Sequence, residues 1–203
     1  MSSRTVCVVD YHMGNHASVV HSLRELNYRV RVSNDQVVLD QADVLVIPGV
    51  GAFPSGMKAL HNLSLVSYLQ EQARLQRPII GFCLGMQLLA DASYEHQYTT
   101  GLGLIPGEIV PLTNPQWHIG WNSVECVHKD PLLQASDGQA FYFNHSFAYR
   151  GPPEYQIGVS RHHKTFPSVI RRGSVVGLQF HPEKSQEPGK ELLRNLISGL
   201  CHA

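Results

Sequence analysis

Apolar positions in the first ninety residues alternate between short solid runs and longer periodic stretches. Thr5–Val9 (TVCVV) and Val44–Ile47 (VLVI) are continuous apolar runs, as expected of strands covered on both faces. Residues 16–27 set Val19, Val20, Leu23 and Leu26 on one side of a helix. Val30 and Val32 mark a second strand, and Pro48-Gly49 stops the VLVI strand. Two helical segments follow over roughly 54–62 and 64–76, then a strand over 78–82. A further helix begins beside Gly85 and carries Met86, Leu88, Leu89 and Ala90. This βαβα order predicts a parallel sheet with helices on both faces. Ligands of such sheets bind beyond the carboxyl ends of the strands, which directs attention to 10–15, 48–51 and Cys83.

The second half has a different grain. From about 107 to 180 the runs are short, aromatic and separated by Pro, Gly or Asn: FYFNHSFAY, YQIGVS, PSVIRR and SVVGLQF. These read as antiparallel strands and hairpins added to the sheet. A closing amphipathic helix near 187–200 presents Leu192, Leu193, Leu196, Ile197 and Leu200. No repeat, linker or low-complexity tract interrupts the chain. The expectation is one α/β domain over 1–203, with a mostly parallel central sheet flanked by helices.

Bulk properties narrow the function classes. At 203 residues, with sixteen acidic and sixteen basic side chains, the chain has no basic excess to support a nucleic-acid or membrane-surface role. No stretch approaches the length of a bilayer-spanning helix, and Asp10 soon interrupts the apolar start, so neither signal peptide nor anchor is expected. Cysteines at 7, 83, 126 and 201 form no CxxC pair, which argues against a zinc knuckle or disulfide framework and for free thiols in a reducing, cytoplasmic compartment. Twelve histidines are scattered. His61, His96, His128, His162, His163 and His202 lack metal-ligand spacing and read as solvated or locally bonded, so no metal site and no cofactor are expected.

The candidate chemistry begins at Gly81-Phe82-Cys83-Leu84-Gly85. A nucleophile between glycines, after a buried strand and before a helix, has the pattern of a nucleophile elbow, because the turn is too tight for flanking side chains. The helix start also favours the thiolate. The plainer reading is a buried structural cysteine. His181-Pro182-Glu183 follows a strand expected over 175–180. A thiol nucleophile needs a base, and the base needs a third group to fix its ring. Alone, the tripeptide reads as a capped turn; with the elbow it points to Cys-His-Glu. Pro48-Gly49-Val50-Gly51 is a loop whose amides can serve a tetrahedral oxyanion, or a plain strand-to-helix turn. It lacks the Lys-Ser/Thr of a P-loop.

These residues resemble the class I (triad) glutamine amidotransferases, first through FCLGMQ at 82–87 and His181-Pro182-Glu183. Asp10-Tyr11 with Gly14-Asn15, PGVGAFPSGM at 48–57, GWN at 120–122, FYFNHS at 141–146 and QFHPEKSQ at 179–186 narrow the likeness. They match the branch whose members are glutaminase subunits of imidazole glycerol phosphate synthase, over essentially the full length.

The resemblance implies a flavodoxin-like amidotransferase fold and a thioester mechanism at Cys83. His181 would shuttle protons and Glu183 would orient it. Gly49, Val50, Gly51 and the Leu84 amide would form the oxyanion hole, on a strand that reorients when a partner engages. Gln87, His145, Ser146 and Phe147 would grip glutamine. The implied partner is a (β/α)₈ cyclase subunit receiving ammonia through a closed tunnel, with Asn15, Trp121, Asn122 and Lys184 on the docking face. The chain departs from the family pattern at His12, where glycine is common, at Trp117-His118-Ile119, and at Phe147, where tyrosine is common. Three other readings stay open. A paralogous amidotransferase could feed another synthase, including one building amidino sugars; a stand-alone γ-glutamyl hydrolase would be active without a partner; a dead scaffold would resist labelling at Cys83.

Overall fold

The computed structural model describes residues 4–113, 116–127 and 129–201. His128 and His202 therefore lie outside the described residues. Four strands open the chain, β1 (Thr5–Val9), β2 (Arg29–Ser33), β3 (Val44–Ile47) and β4 (Ile79–Phe82), interleaved with α1 (His16–Glu25), α2 (Gln36–Leu39), α3 (Phe53–Asn62) and α4 (Leu65–Arg74). The elbow leads into α5 (Leu84–Leu88). Short strands follow: β5 (Ala92–Ser93), β6 (Thr99–Thr100), β7 (Glu108–Pro111), β8 (His118–Ser123), β9 (Glu125–Cys126), β10 (Ala140–His145) and β11 (Phe147–Arg150). A long hairpin, β12 (Gln156–His162) with β13 (Lys164–Arg172), leads to β14 (Val175–Leu178) and the terminal α6 (Gln186–Leu200).

The main sheet has eight strands in the order β2-β1-β3-β4-β14-β13-β12-β9. Its first five are parallel, in the 2-1-3-4-5 order of a doubly wound sheet, and the last three join antiparallel. Strict alternation along the parallel strands divides the core in two. Cys7, Val9, Leu45, Ile47 and Ile79 face α3, α4 and α5. Val6, Val8, Val44, Val46, Ile80 and Phe82 face α1 and α6. All of these are essentially without solvent exposure, which is why both faces read as apolar in the sequence.

The added strands do not all extend the main sheet as expected. FYFNHSFAY splits at Ser146: β10 forms a two-stranded ladder with β8, and β11 joins β7, β5 and β6 in a separate sheet. The strand expected over 175–180 is regular over Val175–Leu178, and the Gln179 amide still bonds the Ser168 carbonyl of β13 at 2.9 Å, one step on in the same register. The elbow helix is short because the 101–105 loop doubles back. Amides of Leu102, Leu104 and Ile105 bond the carbonyls of Leu88 and Leu89, ending the helical ladder. No helix among the described residues is long and apolar enough to cross a membrane.

Candidate active site

β4 and β14 run side by side and deliver the two central residues to one edge. The Cys83 amide bonds the Leu178 carbonyl at 2.8 Å, so the elbow is anchored on β14, three residues before His181. Cys83 has φ 49° and ψ −107°, a conformation held only when its surroundings fix it. Those surroundings are close-packed backbone. A Cβ on Gly81 would lie 2.6 Å from the Gly85 carbonyl carbon, and one on Gly85 would lie 1.9 Å from the Ile47 carbonyl oxygen. Both glycines are thus demanded by contact rather than by helix propensity.

His181 is flanked by Cys83 on one side and by Glu183 on the other, and both raise its proton affinity. Its Nδ1 lies 2.8 Å from Glu183 Oε1, and both side chains are 3% exposed. Burial opposes a charge on this imidazole, but the hydrogen bonds and charges of Cys83 and Glu183 prevail and push it up to about 10. The ring is thus set to carry a proton beside a sulfur that can give one up. Ser185 locks the turn: its hydroxyl donates to the His181 carbonyl at 2.6 Å and accepts from the Tyr142 amide at 3.0 Å. The His181 amide in turn donates to the Tyr142 carbonyl at 2.9 Å.

The oxyanion candidates stand next to the sulfur. A Cβ on Gly49 would lie 2.7 Å from Leu84 Cβ and 2.8 Å from the Gly85 nitrogen, so the 48–51 loop runs directly over the start of α5. Tyr11, fully buried beneath it, donates its hydroxyl to the Pro48 carbonyl. Gly51 takes φ 111°, which excludes other side chains, and Val50 points outward, 43% exposed.

The proposed glutamine grip is more internal than the sequence implied. Gln87 is buried, with Nε2 on the Phe147 carbonyl at 3.1 Å and the Gln179 Oε1 at 3.3 Å. Ser146 is exposed, Phe147 half-buried, and the Cys83 thiol reaches the Asn144 carbonyl at 3.6 Å. His145 is buried within a line of rings. Its Nδ1 lies 2.7 Å from the Phe147 carbonyl, so that nitrogen must carry the hydrogen. Its Nε2 then accepts from His118 Nδ1 at 3.0 Å, and His118 Nε2 accepts from the Asn122 amide at 3.2 Å. His162, read as solvated or locally bonded, instead stacks on His118 at 4.2 Å and bonds the Trp117 carbonyl. Burial holds His118 and His145 neutral, down to about 4 and about 3, with nearby imidazoles adding to the effect.

The four docking candidates differ in freedom. Trp121 and Lys184 converge on Tyr142, the ring at 6.1 Å and the ammonium at 6.0 Å from its centroid. Asn122 has its amide nitrogen committed to His118 and to the Arg161 carbonyl. Asn15 is exposed, but its side-chain oxygen caps α1 through the Ser18 amide at 3.2 Å. Sequence reasoning passed over Tyr142, Asn144, Gln179, Ser185 and the His118–His162 stack. The apolar–polar alternation of FYFNHS does place Phe141, Phe143 and His145 on one face, but not what faces them.

Residues 7–199 match the glutamine amidotransferase class-I family, and the chain belongs to it. The fold agrees: a glutamine amidotransferase of Thermotoga maritima superposes with a TM-score of 0.72 at 18% identity, each chain fully covered. Within the family the kinship is specific. The chain is 40% identical over 193 residues to imidazole glycerol phosphate synthase subunit HisH of Listeria monocytogenes, 93% of each. It is 41% identical over 194 residues to the HisH subunit of Carboxydothermus hydrogenoformans, covering 93% of this chain and 96% of that one.

Proposed function

We propose that the chain is the glutaminase subunit of an imidazole glycerol phosphate synthase, hydrolysing glutamine to glutamate and ammonia for histidine biosynthesis. The observation that carries the reading is a buried imidazole, clamped by Glu183 at 2.8 Å, whose proton affinity Cys83 and Glu183 raise together. Cys83, its proton already passed to His181, attacks the side-chain amide carbon. Backbone N–H groups of the 48–51 loop and of Leu84 donate to the oxyanion. His181 then protonates the leaving nitrogen, ammonia departs, and a glutamyl thioester remains. Water, deprotonated by His181, cleaves the thioester to glutamate and returns the proton to sulfur.

Ammonia is the nucleophile only while unprotonated, which favours a closed path to the acceptor. The partner is a cyclase subunit of (β/α)₈ fold forming a heterodimer, seated on the edge that carries Trp121, Lys184 and Tyr142. That edge adjoins the His181 turn through the Tyr142–His181 backbone pairing, which supports communication between docking and catalysis. Cys83→Ala in the reconstituted pair is expected to abolish glutamine-dependent synthesis and to leave synthesis from ammonium intact. Loss of both activities would break this division of labour. Strong glutaminase activity of the isolated chain would favour the stand-alone hydrolase instead.

A further inference from the structure

A cleft of about 760 Å³ opens between β11 and the β12–β13 hairpin, on residues outside the triad. That volume lies in the range of small-molecule sites. Its walls are apolar at Val110, Leu112, Ala148 and Phe166, and no Asp or Glu lines it. Two cations do. Arg150 is paired, with Nη2 3.0 Å from Glu108 Oε2. Lys164 has no carboxylate within ion-pair distance among the described residues. An apolar wall beneath an unneutralised ammonium selects an anion with a flat apolar body and disfavours the cation of the same shape.

Among the polar wall groups, His162 ties the cleft to the interior. Its ring stacks on His118, which donates to His145, which donates to the Phe147 carbonyl. That carbonyl also receives Gln87 from the elbow helix, and the neighbouring Asn144 carbonyl receives the Cys83 thiol. We propose that this cleft binds a small aromatic or heteroaromatic molecule bearing one carboxylate or phosphate, and that its occupancy is felt along the His162–His118–His145 rings. Contact with His162 is the direct input; the stacked and hydrogen-bonded rings are the physical connection to the 144–147 corner.

The test is calorimetric titration of the full chain with phenyl phosphate, benzoate and benzylamine, three probes sharing one ring. The two anions are expected to bind with Kd on the order of 0.1–1 mM, the tighter one identifying the head group, and benzylamine not to bind. Lys164→Glu is expected to weaken the anions at least about tenfold, the loss of one well-placed charge contact. Imidazole nitrogen NMR signals of His118 and His145 are expected to shift on saturation. The titration is repeated on chain blocked at Cys83 by a glutamine-like chloroketone, and anion binding is expected to persist. Absence of anion binding, equal binding of benzylamine, indifference to Lys164→Glu or unmoved imidazole signals would each overturn the proposal. Failure of the chloroketone to label Cys83 would strike the glutaminase reading alone.

Discussion

At the scale of single residues, the imidazole of the proposed triad is pushed towards its charged form and two others towards the neutral one. His181 is raised by Cys83 and Glu183 against the cost of its burial, whereas His118 and His145 are lowered by burial itself. The signs give opposite pH signatures. A raised folded value stabilises the protein fully below the ordinary imidazole range near 6.5, and the gain is lost as pH climbs towards 10. Glu183→Gln removes the clamp, so the stability gap between parent and variant is expected to narrow as pH rises from about 6.5 to 10. The same change is expected to cut glutamine turnover in the complex by about 10²–10⁴-fold, as loss of a ring-orienting carboxylate does in other triads, while the ammonium-driven reaction holds. Chemical denaturation across pH and paired assays read both; an unchanged glutamine rate would remove Glu183 from the mechanism.

At the scale of elements, the nucleophile elbow was legible because its requirements are local. Glycines two residues before and after Cys83, between a buried strand and a helix, announce a turn without room for Cβ atoms, and the contacts bear this out. The contrast between Gly85 and Gly56 makes it measurable. A Cβ on Gly85 would meet the Ile47 backbone at 1.9 Å, whereas one on Gly56, inside α3, would meet only side-chain methyls of Leu88 and Leu84, from 3.2 Å outward. Gly85→Ala is expected to destabilise by about 3 kcal/mol or more. Gly56→Ala is expected within about 1 kcal/mol of the parent, since helix propensity offsets the crowding. Equal urea midpoints for the two variants would contradict the packing account of the elbow. Pairing partners, by contrast, were not legible. FYFNHSFAY carries a clear strand pattern, yet nothing in it says that β10 seeks β8 and β11 seeks β7, because cross-strand register is a relation between distant segments. The histidine line was hidden for the same reason: positions 118, 145 and 162 meet only once three strands are placed.

At the scale of the whole molecule, the parallel strands bring Cys83 and the His181 turn to one edge, and an apolar surface adjoins it. Along β8 and the residue before it, alternate residues Trp117, Ile119 and Trp121 are 60%, 62% and 50% exposed, so one face presents an aromatic and aliphatic row to solvent. Tyr142, opposite Trp121 in the β10 register, extends the row to Lys184 and so to the catalytic turn. In the docking reading, Trp121 is an anchor and Lys184 a rim charge, and these roles have different kinetic signatures. Trp121→Ala is expected to weaken cyclase binding about 10–100-fold through faster dissociation. Lys184→Ala is expected to slow association and to flatten its salt dependence. Neither side chain belongs to the buried core, so thermal stability of the isolated subunit should stay within about 0.5 kcal/mol of the parent. Surface plasmon resonance against the cyclase, at two salt concentrations, separates the two effects. Parent-like rates for both variants would move the docking face away from β8 and break the link between this row and the ammonia path.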